Sequence, residues 1–295
     1  MNRHLALALL AAALAVSGCS KKHSRKADGA KQSTEAVQTT QTQTPASAPR
    51  AASAPADSPL RPPKAADAGF PLPDFVPDPA GSTAQTYRPQ IPYTPAAKAQ
   101  TVYFNKNGKA AAKPVPNGYY RVLLGQTADG RDVAQDFYQG SKTPQTAPFT
   151  LAKGADIRNF SEEAIDGISV WFAPDGAVRQ AGRFAGGSLQ GAMAYYLDGR
   201  LVAQTKNDSQ AFYHPDGRSL MAVVRPADPK SGLSATILYR TDGNAAAVFL
   251  HKDHNIVSGA VWDAAGREIQ PKQAKGEIKP MLDRMEQLHR AIFQP

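Results

Sequence analysis

From about residue 101 onward, short apolar runs alternate with polar turns that end in glycine. "ISVWF" precedes "APDG", "AMAYY" precedes "LDG", "AFY" precedes "HPDG", "ATILY" precedes "RTDG" and "AVW" precedes "DAAG". The closing glycines are Gly108, Gly130, Gly154, Gly176, Gly199, Gly217, Gly243 and Gly266, at intervals of 22, 24, 22, 23, 18, 26 and 23 residues. Self-similarity at that period is the mark of a repeat architecture. Each unit follows from local chemistry. Residues before the turn are aromatic and β-branched, which suits a strand, and Asp-Gly supplies the positive φ values of a type I′ hairpin turn. About 23 residues hold two strands of five or six residues and two connections, so one unit is one hairpin. A lone hairpin is marginal in water, so the units must stack. The expected fold is mainly β: an elongated antiparallel sheet of stacked hairpins over 101–275.

The closing segment "KGEIKPMLDRMEQLHRAIF" changes period. Met281, Leu282, Met285, Leu288 and Ile292 share one helical face, which predicts an amphipathic helix from about Pro280 within a C-terminal region of 276–295. It would cap the last hairpin, whose open edge would otherwise invite aggregation.

The N-terminal hundred residues have neither period. Arg3 and His4 precede an apolar run from Leu5 to Val16, too short to span about 30 Å of hydrocarbon but of secretory-leader length. Residues 1–18 are therefore read as a signal peptide, and Val16-Ser17-Gly18-Cys19 resembles the lipobox of bacterial lipoproteins. That resemblance implies cleavage before Cys19 and acylation of it, giving the chain a membrane partner. Cys19 is the only cysteine, which excludes an intramolecular disulfide. Ser20 follows where an aspartate would resemble an inner-membrane retention signal, so the outer membrane is favoured. "KKHSRK" (21–26) would lie beside the anchor, where each basic side chain contributes about 1 kcal/mol against an anionic leaflet. Residues 19–100 are dominated by Ala, Pro, Ser, Thr and Gln and read as a disordered tether, with an r.m.s. reach of about 50 Å. Phe70, Phe75 and Tyr93 interrupt its polarity and are candidates for packing on the body.

The net charge of +9 invites a nucleic-acid reading, but beyond residue 100 only 23 Lys/Arg face 19 Asp/Glu. The basic residues there are scattered rather than striped, so nucleic acid is excluded as a partner. Linear motifs for catalysis are missing. "GGSLQ" (186–190) has Gln190 where a nucleophile elbow needs glycine, and "HKDH" (251–254) offers His251, Asp253 and His254 without a third strong ligand. No dinucleotide or phosphate loop occurs, and neither cofactor nor metal is expected. The turn aspartates Asp175, Asp198, Asp216 and Asp242 read as turn formers.

"GRFAGGSLQGAMAYYLDGRL" (182–201) resembles the MORN repeat, through Phe184, Gly186, Gly191, Tyr195, Tyr196, Asp198 and Gly199. It looks closest to the degenerate, antitoxin-like bacterial variant. The resemblance implies stacked β-hairpins and a scaffold or binding role rather than chemistry. Adjacent residues of a strand face opposite ways, so the doublets build two rows. The first is Tyr103, Trp171, Tyr195, Phe212, Leu238 and Val261, expected to be packed. The second is Phe104, Phe172, Tyr196, Tyr213, Tyr239 and Trp262, expected to be partly exposed and to bind an envelope protein or a cell-wall polymer. The expected function is thus a lipid-anchored binding or scaffold module. The alternative is a periplasmic or surface hydrolase with a site assembled across repeats.

Overall fold

A computed structural model describes residues 62–228, 230–253 and 255–294. The leader, Cys19 and the tether up to residue 61 lie outside the described residues. Fifteen strands form one antiparallel sheet: β1 Thr94–Phe104, β2 Ala110–Ala111, β3 Tyr119–Gln126, β4 Asp132–Tyr138, β5 Phe149–Leu151, β6 Ile165–Phe172, β7 Val178–Ala185, β8 Ser188–Leu189, β9 Met193–Leu197, β10 Arg200–Lys206, β11 Ser209–Tyr213, β12 Leu220–Asp228, β13 Leu233–Tyr239, β14 Ala245–Lys252 and β15 Asn255–Val261. The one α-helix among the described residues, α1 Lys275–Phe293, follows. From β3 to β7 and from β9 to β15 each strand pairs with its neighbour in sequence. β1 lies between β2 and β3, and the short β8 pairs off the path with β7. The stacked-hairpin expectation holds most regularly from β6 onward, in the hairpins β6–β7, β9–β10, β11–β12 and β13–β14.

The turns differ from the expected type. Among the Asp-Gly turns, only Asp198-Gly199 carries two positive φ values, 49° and 69°. At Ala173–Ala177 and Arg240–Asn244 the loop has three residues: the glycine N–H bonds back to the first carbonyl, and the strand pair resumes across the glycine. A type I turn followed by a left-handed glycine gives this geometry. The aspartates hold these loops as expected, Asp175 accepting from Ala177 N–H and Asp242 from Asn244 N–H.

Next to each turn the register skips one residue. Phe172 pairs with Val178 and Trp171 with Gln180; Tyr196 with Leu201 and Tyr195 with Ala203. Tyr213 pairs with Leu220 and Phe212 with Ala222; Tyr239 with Ala245 and Leu238 with Ala247. Four hairpins therefore share one β-bulge, at Arg179, Val202, Met221 and Ala246. A bulge sends two consecutive side chains to one side. Val202-Ala203, Met221-Ala222 and Ala246-Ala247 accordingly all enter the core beneath α1.

Both faces are covered by the chain's own ends. Residues 62–87 form a strap that crosses the turns in reverse order. Pro62 lies beside Gly266, Lys64 bridges Asn244, Ala80 abuts Gly199 and Thr83 bridges Ala177. At Gly199 a side chain would also meet the Ala80 backbone at 2.5 Å, so glycine is required there twice over. Ala65 N–H donates to Gly243 O and Ala84 N–H to Gly176 O, both at 2.9 Å, and Ala245 N–H donates to Pro63 O at 3.2 Å. Val76 and Ala84 are buried, and Phe70, Phe75 and Tyr87 pack beside them. The reading of residues 62–100 as tether is thus corrected. Proline removed the strand period from the sequence; between a short 3-10 helix at Ala65–Ala68 and turns at 79–81 and 84–86, residues 70–77 run without helix or turn. Phe70 and Phe75 do pack on the body, whereas Tyr93 is 39% exposed.

On the opposite face α1 begins at Lys275, five residues before the expected start, because Ile278 is already buried against the sheet. Pro280 sits inside the helix, and the carbonyl its missing N–H would have met belongs to Gly276. Arg240 clamps the helix to the last hairpins, reaching Glu277 at 2.5 and 3.0 Å and the Trp262 and Ala245 carbonyls at 2.6 and 3.0 Å. Among the described residues no helix is long and apolar enough to cross a membrane.

Candidate binding surface

The second row was expected to be partly exposed. It is core. Phe104, Phe172, Tyr196, Tyr213, Tyr239 and Trp262 are each 3% exposed or less. From Phe172 to Trp262 the row lies with the strap residues in one cluster, while Phe104 joins a separate cluster on the other face. Burial pushes the Tyr196 and Tyr213 hydroxyls well above the usual phenol range. Tyr213 donates to the Gln204 side chain, and the Tyr196 hydroxyl has no protein partner. Phe212, Leu238 and Val261 of the first row are packed as expected, against α1.

A partly exposed aromatic row exists elsewhere. Tyr103, Tyr120 and Phe137 are directly paired across β1, β3 and β4 and are all partly exposed. Tyr120 and Phe137 stack with centroids 4.9 Å apart and planes 9° apart. Burial first, then the neighbouring Tyr103 phenol, raises the Tyr120 hydroxyl above its ordinary value. Pro144 bridges to Phe137 at one end of the row. Thr101, Val122 and Gln135 form the next row on this face, and the Gln135 amide is already committed to Thr146 O at 3.0 Å. Tyr93 lies over Gly125, where a Cβ would fall 2.0 Å from Thr94 O and 2.8 Å from the Tyr93 ring. Gly125 is the close approach that lets β1 and Tyr93 sit down on β3.

The ladder shares a face with the strap-covered row. The register carries Val133 through Thr150 to Asp166. Alternation then places Phe137 on the same side of the sheet as Val170 and Phe172. At the end of the strap the Tyr87 ring meets Phe172 edge-on at 6.4 Å, and the Phe137, Tyr120 and Tyr103 rings keep part of their surface open.

The other side of these strands is a rigid mount. Arg121 is buried and grips Asp136 through Nε (2.7 Å) and Nη2 (2.9 Å), while Nη1 reaches Ile157 O and Asn159 O at 3.2 and 2.7 Å. Its guanidinium lies 5.1–5.6 Å from the ring centroids of Phe104, Phe149 and Phe160. This node pins the 152–164 loop under β3 and β4. With four of its five donors used and a paired carboxylate, it is structural.

Sequence reasoning singled out Tyr103 but not Tyr120 or Phe137, because neither precedes an Asp-Gly turn. The signal that finds them is cross-strand register, which spacing alone does not provide. His251 is buried with Nε2 unpartnered, His254 lies outside the described residues, and no group of three metal-ligating side chains occurs among the described residues. No protein-family model matches the chain, and no curated protein matches it.

Proposed function

We propose that the chain is a lipid-anchored envelope protein whose β-repeat body works by binding, with the Tyr103–Tyr120–Phe137 ladder as its contact surface. The observation that carries this reading is the stacked, partly exposed ladder on a face whose other aromatics are covered, since contiguous exposed aromatic surface marks interaction sites. The lipobox supplies the anchor: acylation of Cys19 would hold the body at the outer membrane, with a protein or polymer of the envelope as partner. The hairpin sheet fits the scaffold role implied by the MORN-like unit.

Two variants test the reading. Cys19→Ala should release the protein from the membrane fraction, because the acyl chains alone provide attachment; full retention would exclude the anchor. Tyr120→Ala with Phe137→Ala should fold normally and lose the envelope component retained by the native body. Unchanged retention would remove the ladder as the contact surface.

A further inference from the structure

Resting on the reading of the ladder as a contact surface, we infer that its partner is an extended, proline-rich polypeptide. The interface is already half built within the molecule. The covered part of this face, from Phe172 to Trp262, is filled by residues 62–87, which contain Pro62, Pro63, Pro71, Pro73, Pro77 and Pro79. Only three backbone hydrogen bonds join that strap to the sheet, at Gly243, Ala245 and Gly176. The strap is held mainly by side-chain packing on aromatic and apolar side chains. Its middle, residues 70–77, has neither helix nor turn and no backbone hydrogen bond to the sheet, so the surface there takes an extended segment that needs few backbone partners. Proline fixes φ and carries no N–H, so a proline-rich segment loses little entropy and leaves few donors unsatisfied on docking.

The open ladder continues that surface beyond the strap's end at Tyr87. Its dimensions suit the same ligand. Adjacent strands lie about 4.8 Å apart, so the three rungs span about 10 Å. One polyproline turn of three residues advances about 9.3 Å. Residues i and i+3 of a docked segment therefore sit over Phe137 and Tyr103, with Tyr120 between them. A sugar polymer also stacks on aromatic rings, so an oligosaccharide is the ligand that separates the two partner classes.

The test uses the full chain and a synthetic peptide of residues 70–79, "FPLPDFVPDP". A matched peptide with glycine for each proline and a chitin-type oligosaccharide serve as comparison ligands. Peptide binding should be measurable by titration, fall at least tenfold in Tyr120→Ala, and fall similarly with the glycine peptide. Peptide binding that survives Tyr120→Ala would overturn the inference, since it would report exchange with the strap instead. Oligosaccharide binding that depends on Tyr120, without peptide binding, overturns the partner class while leaving the ladder as the contact surface. If neither ligand binds and the Tyr120→Ala, Phe137→Ala variant still retains the envelope component, both the inference and the contact surface fall.

Discussion

Tyr213 and Tyr120 both point to the strap-side face, yet one is sealed and the other partly open. Tyr213→Ala and Tyr239→Ala should each cost about 3–5 kcal/mol, because truncating a buried ring loses burial and leaves a cavity. Thermal melts should drop by about 6–20 °C, at about 2–4 °C per kcal/mol for a body of this size. Tyr120→Ala should change stability by less than about 1 kcal/mol; an equal drop would put the ladder in the core. Arg121→Ala should cost about 3–5 kcal/mol by stranding Asp136 without its partner, and the double change Arg121→Met, Asp136→Leu should recover much of that loss. Chemical denaturation of both variants checks the pairing. The doublets themselves were legible in the sequence, since alternation assigns one ring to each face. Which row stays wet was not, because that depends on a segment whose prolines disguised its packing.

The shared bulge explains a feature of the elements that spacing could not: in three of the four hairpins, two successive small or apolar residues after the turn both face α1. The hairpin and the helix were legible, from turn glycines and from helical periodicity. The turn type was not, because Asp-Gly also closes a type I turn when the residue before it is helical in φ and ψ. At the helix–sheet seam, burial lowers the His289 pKa, and burial lowers that of His251 in β14 as well. The folded values then lie below the unfolded value of about 6.5. As pH falls through about 6.5 the unfolded chain takes up protons first, so stability declines from there downward and is fully present above. Urea midpoints should be lower at pH 5.5 than at pH 7.5, and His289→Leu should flatten the difference. A profile unchanged by that substitution would show that His289 does not titrate against folding.

For the whole molecule, the packed body reaches at least as far toward the N-terminus as Pro62, well before residue 100. Brief trypsin treatment of the folded protein should spare Lys64, which is bridged to Asn244. A stable fragment starting at residue 65 would refute the strap. Repeat order could be read from the glycine periodicity, but the covering of both faces by the two ends could not, because those contacts join residues far apart in the chain. Lys64 and Asn244 stand 180 positions apart. Most repeat arrays close locally, unit upon unit. Here the first described residues bind the last hairpins, so loop closure must wait until nearly the whole chain is present. A chain synthesised from its N-terminus therefore emerges with its strap unpartnered, and the aromatic row stays open until the closing repeats arrive. The body then forms as one cooperative unit, without a long-lived half-array.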